Sequence, residues 1–192
     1  NAAMDLGSTA VAVTDNATLN AGSNTITLGA ATLADGKSLT LGTGAATTIN
    51  TGSITGTDAG AAETLTISTS GSITTTGAIG NGTVGNISTV SMYGATANSV
   101  ATSITTGGNI TVAGAGGGIT LKAAAIDVSA DTISSAASNT QITFITDALT
   151  SGGSTITAGT GIFQVAPSTI ANTIDVRNGA GGAAVSNYNL SA

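Results

Sequence analysis

The sequence contains no cysteine, no histidine and no tryptophan, and it has a single proline. Without histidine or cysteine, the chain cannot form a Ser-His-Asp or Cys-His nucleophile pair, and it lacks the ordinary ligands of zinc, haem and iron–sulfur centres. Only three residues are basic and the formal net charge is −6, so there is little to neutralise a phosphate backbone. These absences predict no catalytic residue, no metal site, no cofactor and no nucleic-acid partner.

Aromatic residues are also scarce: the chain has only Tyr93, Phe144, Phe163 and Tyr188. Gly, Ala, Ser and Thr supply 119 of the 192 residues, whereas Leu, Ile, Val and Phe supply 40. A conventional globular core would need more large side chains, but a disordered chain would carry more charge and more proline. The composition therefore favours one folded domain over residues 1–192, with a narrow core built from small repeated layers.

Charged residues are absent from residues 64–121. This stretch is rich in Gly, Thr and Ser, and it contains no run approaching the roughly 18 apolar residues of a membrane-spanning helix. We therefore expect no membrane span. The chain begins at Asn1 with neither Met nor a basic segment, so we expect a mature or excised piece of a longer protein.

Short segments in which apolar and polar residues alternate run along the whole chain. Such alternation is typical of strands with one buried and one solvated face, and the β-branched residues suit it. Clusters of Gly, Asn and Ser between the segments supply turns. The clearest segments are Thr25–Leu28, Ser38–Leu41, Thr64–Ser68, Asn109–Val112, Ile119–Leu121, Ile126–Val128, Gln141–Phe144, Phe163–Val165 and Ile174–Val176.

The spacing of these segments distinguishes among all-β folds. From Ile110, the next apolar centres fall at Ile119, Ile126, Ile133 and Ile142, and the strands are too short for a typical sandwich. We predict an all-β parallel β-solenoid, or β-helix, with three short strands and about 20 residues per coil. Nine or ten coils would form a rod of about 45 Å. A right-handed coil is expected because it is the commoner form.

Two other all-β folds suit the sequence less well. A β-sandwich would require longer strands and heavier core residues. A cross-β fibril segment suits the low charge and single proline, but the frequent glycines favour turns within one chain.

Two segments resemble a known family. Gly108–Val112 reads Gly-Asn-Ile-Thr-Val, and Ile119–Ala123 follows a glycine run; in Gly159–Gly182 a strand ends in Pro-Ser-Thr and restarts as Thr-Ile-Asp-Val before a glycine-rich corner. Both resemble the hemagglutinin-type repeats of large bacterial exoproteins, most specifically over residues 108–128 and 155–190. The resemblance implies a surface-exposed or secreted β-helical filament, often an adhesin of the autotransporter or two-partner-secretion type. The N-terminal secretion domain of such proteins is not recognisable here.

Several features of the sequence are candidates for enzymatic chemistry. Gly80–Gly85 matches the dinucleotide fingerprint G-x-G-x-x-G, but no helix pattern follows it, so a turn is expected. Asp127 and Asp131 are expected to be solvated charges, and Asp175 with Arg177 an ion pair on one strand face. The remaining acids are scattered, although residues distant in sequence can stack between coils. We therefore predict no enzyme.

Pairs of threonines separated by one residue form a candidate binding face. Each pair would direct two hydroxyls from one strand face, and pairs stacked in register would resemble the lattice of an ice-binding solenoid. The candidate residues are Thr25, Thr27, Thr64, Thr66, Thr74, Thr76, Thr155 and Thr157.

These observations lead to three functional hypotheses. The favoured one is a structural filament or adhesin stalk on the bacterial cell surface, secreted or extracellular, that mediates attachment or contact between cells in a biofilm. Its partners would be surface glycans or sister filaments. The alternatives are a subunit that self-assembles end to end or laterally into an extracellular fibre, and an ice- or polysaccharide-binding β-solenoid.

Overall fold

The computed structural model describes residues 2–7, 9–45, 47–58, 60, 62–81, 86–114, 116–135 and 140–169. Within these ranges the chain forms nineteen β-strands and no helix, which confirms the predicted all-β fold. Accordingly, no helix of the described residues has the length and apolar character needed to cross a membrane. The strands are β1 (Met4–Leu6), β2 (Val11–Val13), β3 (Ala17–Leu19), β4 (Ile26–Leu28), β5 (Ala31–Leu33), β6 (Ser38–Gly44), β7 (Ile49–Thr51), β8 (Ile54–Gly56), β9 (Thr64–Thr69), β10 (Ser72–Thr75), β11 (Thr89–Tyr93), β12 (Ala101–Thr106), β13 (Ile110–Val112), β14 (Gly118–Asp127), β15 (Thr132–Ser135), β16 (Gln141–Ile145), β17 (Ala148–Thr150), β18 (Thr155–Thr157) and β19 (Ile162–Ala166).

The strands stack into a parallel β-solenoid with three faces. Strands pair in parallel with the equivalent strands of the next turn, as β1 does with β4 and β4 with β7, whereas β8 and β13 are linked only by isolated bridges to Ile79. We call the faces sheet A (β1, β4, β7, β10, β12, the second half of β14 and β17), sheet B (β2, β5, β8, β13, β15 and β18) and sheet C (β3, β6, β9, β11, the first half of β14, β16 and β19). The parallel solenoid predicted from strand spacing is therefore confirmed.

The turns are longer than predicted. The described residues make about 7 turns of roughly 23 residues each, rather than nine or ten turns of about 20. Ile26, Ile49 and Ile73 occupy one stacked position, but the next member, Ile104, follows 31 residues after Ile73. Seven turns spaced by about 4.8 Å span about 30 Å over the described residues, whereas about 45 Å was expected for the whole chain.

The core is a set of aliphatic columns that run along the axis. Parallel pairing in register places equivalent positions above one another, so an inward isoleucine of one turn packs on that of the next. On sheet A this column contains Ile26, Ile49, Ile73, Ile104 and Ile126, each at most 1% exposed. Each such side chain gains about 1.5–3 kcal/mol from burial, so the columns stabilise the stack.

Glycine occupies the corner between sheets A and B because the turns approach closely there. A Cβ at Gly29 would lie 2.4 Å from the carbonyl oxygen of Gly7, and a Cβ at Gly52 would lie 2.9 Å from the carbonyl carbon of Gly29. Gly77 and Gly108 are equally close to the preceding turn. An open groove of about 400 Å³ follows this corner, but its lining holds no charged side chain.

The corner between sheets C and A is built from buried threonines. The Thr69 hydroxyl is fully buried and lies 2.7 Å from the carbonyl oxygen of Thr47 and 2.8 Å from that of Ala45, in the preceding turn. It also accepts hydrogen bonds from the backbone N–H groups of Thr47 and Gly71. The threonine hydroxyl thus supplies the hydrogen-bond partners that backbone groups lose where the pairing between strands stops at the corner.

Candidate functional site

A ladder of hydroxyls forms along the outer face of sheet C. In-register pairing places one outward residue of each turn above that of the turn before, and neighbouring turns are about 4.8 Å apart. The hydroxyl ladder consists of Thr18, Thr40, Thr66, Ser91, Thr120 and Thr143. The face therefore presents a regular row of hydroxyl groups.

A second outward column runs beside this ladder through turns two to four, whose sheet C strands are β6, β9 and β11. Its members there are Ser38, Thr64 and Thr89, and they stack in register. The next two positions are Gly118 and Gln141, so the paired hydroxyl pattern ends with turn four. Sheet C thus carries a double row of hydroxyls over three turns and a single row over six.

The predicted threonine pairs are divided among the three faces. Thr64 and Thr66 lie on sheet C, in the two columns just described. Thr25, Thr27, Thr74 and Thr76 lie on or at the end of strands of sheet A, and Thr155 with Thr157 on sheet B. The serines and single threonines that complete the sheet C ladder were not predicted, because recognising them requires the register between turns.

Three carboxylates meet at the corner between sheets B and C. Asp35 lies in turn two between β5 and β6, while Asp58 and Glu63 lie in turn three between β8 and β9. One carboxylate oxygen from each lies within 4.8 Å of the others. We call this group the carboxylate corner. Asp35 is exposed, Asp58 is half-buried and Glu63 is buried, so the group extends from solvent into the core.

Glu63 reaches the interior because a glycine makes room for it. The inward column of sheet B passes from Val13 to Leu33 and then to Gly56, which has no side chain. A Cβ at Gly56 would lie 3.0 Å from Cδ of Glu63 and 3.1 Å from its Oε1. The carboxyl group of Glu63 therefore occupies space that a leucine fills one turn earlier.

The hydrogen bonds of Glu63 leave part of its carboxyl group unsatisfied. Oε2 accepts a 2.9 Å hydrogen bond from the backbone N–H of Ala62. Oε1 is buried without a hydrogen-bond partner, and the side chain is 0% exposed. Burying an ionised carboxylate without compensation costs several kcal/mol or more, so an ionised Glu63 requires a positively charged partner.

The two basic side chains in the described part of the chain have other partners. Lys37 Nζ lies 3.5 Å from Asp15 Oδ1, and this is the only salt bridge between described residues. Lys122, the second basic residue in the described part of the chain, donates to the carbonyl oxygen of Ala97 at 2.7 Å. The backbone N–H of Asn16 and the nearby Lys37 ammonium lower the pKa of Asp15 below its usual 3.8. No lysine compensates the three grouped carboxylates.

Two other acids are tied to their own neighbours. Asp131 is 9% exposed and accepts a 2.5 Å hydrogen bond from the Thr106 hydroxyl, so the prediction of a solvated charge is wrong for Asp131. Asp127 accepts hydrogen bonds from the backbone and hydroxyl of Ser129. Burial and local bonding explain these carboxylates structurally.

Some sequence predictions lie outside the described residues. Asp175 and Arg177 do, as do four of the six residues of the Gly80–Gly85 motif. Of the 155–190 segment that resembles an exoprotein repeat, the structure describes residues 155–169, which form β18, β19 and the segments beside them.

Comparison with known proteins identifies no relative of this chain. No family model, curated protein or solved structure matches the chain.

Proposed function

We propose that this chain is a structural segment of a bacterial surface filament or adhesin stalk, secreted to the cell exterior. The observation that carries the proposal is the parallel stacking of about 7 turns around aliphatic columns. Such a stack has many backbone hydrogen bonds parallel to its axis and gains length in proportion to the number of turns. The segment would act as a rigid spacer, and its hydroxyl-bearing faces would be available to bind surface glycans or sister filaments.

The resemblance to hemagglutinin-type repeats supports the same proposal. The segment from Gly108 to Ala123 that carries the resemblance forms β13 and part of β14, in which Ile110 pairs with Ile133 and Ile119 with Ile142 of the next turn. The Ile-Thr-Val and Ile-Thr-Leu motifs therefore supply the inward aliphatic residues of two faces, as a repeat unit of a filament would require.

Electron microscopy and sedimentation of the purified chain over a range of concentrations test this proposal. A stalk segment should remain a short rod with a constant sedimentation coefficient. Fibres that lengthen with concentration would instead favour the self-assembling subunit. A compact or unfolded particle at every concentration would contradict both.

The hydroxyl ladder of sheet C favours a second candidate, an ice- or polysaccharide-binding surface. Its regular spacing of about 4.8 Å presents repeated hydrogen-bonding groups on one face. The variant Thr40→Leu/Thr66→Leu removes two directly stacked hydroxyls from the ladder. The matched variant Thr74→Leu/Thr105→Leu removes two directly stacked hydroxyls from sheet A.

Thermal hysteresis and binding to insoluble polysaccharides distinguish the two variants. This candidate predicts activity in the parent chain and in the sheet A variant, and loss in the sheet C variant. Equal activity in both variants, or none in the parent chain, would overturn it.

A further inference from the structure

We propose that the carboxylate corner formed by Asp35, Asp58 and Glu63 binds a calcium ion that joins the second and third turns of the solenoid. The three residues come from two neighbouring turns, and one carboxylate oxygen of each lies within 4.8 Å of the other two. The inference concerns stability and regulation of the rod, and it does not depend on the function proposed above.

The size and chemistry of the carboxylate corner are compatible with calcium. Calcium binds oxygen at about 2.3–2.6 Å, so two ligands on opposite sides of the ion are about 4.6–5.2 Å apart. The three oxygens lie within 4.8 Å of one another, which is compatible with an ion between them. Magnesium demands near-ideal octahedral geometry and gives up its water molecules reluctantly, so a group of three carboxylates favours the more adaptable calcium.

The buried oxygen of Glu63 is the second observation that points to a ligand. Its Oε1 has no hydrogen-bond partner in a fully buried side chain, although the other carboxylate oxygen is bonded to Ala62. A cation held between Glu63, Asp58 and Asp35 would satisfy this oxygen and compensate three negative charges at once. The positions occupied by Lys37 and Lys122 leave this compensation to an added ion.

The site is open to the solvent on one side. Asp35 is exposed and Asp58 is half-buried, so an ion can enter and keep water molecules as its remaining ligands. Calcium ordinarily takes six to eight oxygens, and water commonly supplies some of them. Three carboxylates at a site open to solvent on one side predict weak binding, with a dissociation constant of about 10⁻⁴–10⁻³ M.

Calorimetric titration of the chelator-treated chain with calcium chloride tests the proposal, together with thermal unfolding in calcium and in chelator. We expect one calcium per chain and a melting temperature raised by about 3–6 °C when calcium is ten times its dissociation constant. Magnesium should bind at least tenfold more weakly. An unchanged melting temperature and no binding heat at about 10 mM calcium would overturn the proposal.

A pair of matched variants locates the ion. Asp58 and Asp5 each accept a hydrogen bond from the glycine N–H two residues later, at 3.0 Å and 2.9 Å. Asp58→Asn and Asp5→Asn therefore make the same local change, but only Asp58 belongs to the carboxylate corner. Asp58→Asn should weaken calcium binding at least tenfold, and Asp5→Asn should leave it unchanged. Equal effects of the two would overturn the site.

Two further variants separate binding from folding. Glu63→Gln removes the buried charge, so the variant should abolish the response to calcium and melt higher than the parent chain in chelator. Asp35→Asn changes an exposed side chain and should weaken binding even if Glu63→Gln fails to fold, as judged by circular dichroism. Full calcium affinity in Asp35→Asn would contradict the proposal.

Discussion

Two corners of the solenoid bury polar groups in opposite ways. At the corner between sheets C and A, the hydroxyl of Thr69 contacts backbone groups of Thr47 and Gly71 and is satisfied within the protein. At the corner between sheets B and C, Glu63 buries a carboxyl group of which one oxygen has no partner. We call the first the neutral corner and the second, which contains the carboxylate corner, the charged corner. The buried hydroxyl of the neutral corner has all its partners within the protein, whereas the buried carboxyl group of the charged corner needs a partner from outside.

The difference follows from the residue that sits opposite each polar group. Gly71 brings two backbones so close that short hydroxyl-bearing side chains can span the gap, with its Cβ position 2.1 Å from the carbonyl oxygen of Thr47. Gly56 is also close to backbone, with its Cβ position 2.3 Å from the carbonyl oxygen of Asn86, but the buried carboxyl group of Glu63 packs beside it as well. Both glycines therefore permit close backbone approach, and the corners differ in the side chain beside the glycine, a hydroxyl at Gly71 and a carboxyl group at Gly56.

The largest effect is expected from alanine at the close contact of the neutral corner. In Gly71→Ala, the new methyl group would overlap the backbone of Thr47, which cannot move without disturbing the stack. We expect the free energy of unfolding to fall by about 3 kcal/mol or more, measured by chemical denaturation. Gly36→Ala is the control, since its Cβ would meet nothing within 4 Å.

Gly36 has a φ of +68° in the turn from Ala34 to Lys37, so alanine there is penalised by conformation alone. We expect that penalty to be about 1 kcal/mol. If the two alanines cost the same free energy, the close contact at Gly71 would not be what requires glycine at the neutral corner.

A smaller effect is expected from removing the central hydroxyl of the neutral corner. Thr69→Val keeps the shape of the side chain but leaves the N–H groups of Thr47 and Gly71 without their partner. We expect a loss of about 2–3 kcal/mol in the free energy of unfolding. Thr66→Val on the outer face of β9 should change it by less than about 0.5 kcal/mol. Similar costs for the two would mean that water replaces the buried hydroxyl.

The fold could be predicted from the sequence because its signals are local. The alternation around Ile110 and Ile119 and the glycines between short strands identify a parallel coil without knowledge of its register. The number of residues per turn could not be predicted, because corners vary: Ile49 follows Ile26 by 23 residues, whereas Ile104 follows Ile73 by 31. A single period therefore underestimates the turn.

The carboxylate corner had a periodic signal that depends on that register. Asp15, Asp35 and Asp58 each lie two residues beyond the stacked positions Val13, Leu33 and Gly56, so they recur once per turn. Glu63 had no such signal. Its burial depends on the space beside Gly56, which appears only when turns two and three are superposed.

The smallest effect is expected at the exposed edge of the charged corner. The backbone N–H of Asn16 and the charge of Lys37 both lower the pKa of Asp15. Ionised Asp15 therefore stabilises the fold when the pH is above the ordinary pKa of an aspartate. This contribution is lost as the pH falls through the lowered pKa. Lys37→Gln should raise the pKa of Asp15 but leave it below 3.8, because the larger cause, the Asn16 N–H, remains. Carbon-detected NMR titration of the Asp15 carboxyl group measures this directly.

Lys122→Gln is the control for that titration, because Lys122 donates to Ala97 and does not contact Asp15. Lys37→Gln should also leave calcium binding at Asp35, Asp58 and Glu63 intact, since Lys37 is paired with Asp15 instead of those carboxylates. A marked gain in calcium affinity in Lys37→Gln would show that the ammonium group competes with the ion. The carboxylates of the charged corner would then be partly compensated by the chain itself, and the corner would differ from the neutral corner only in degree.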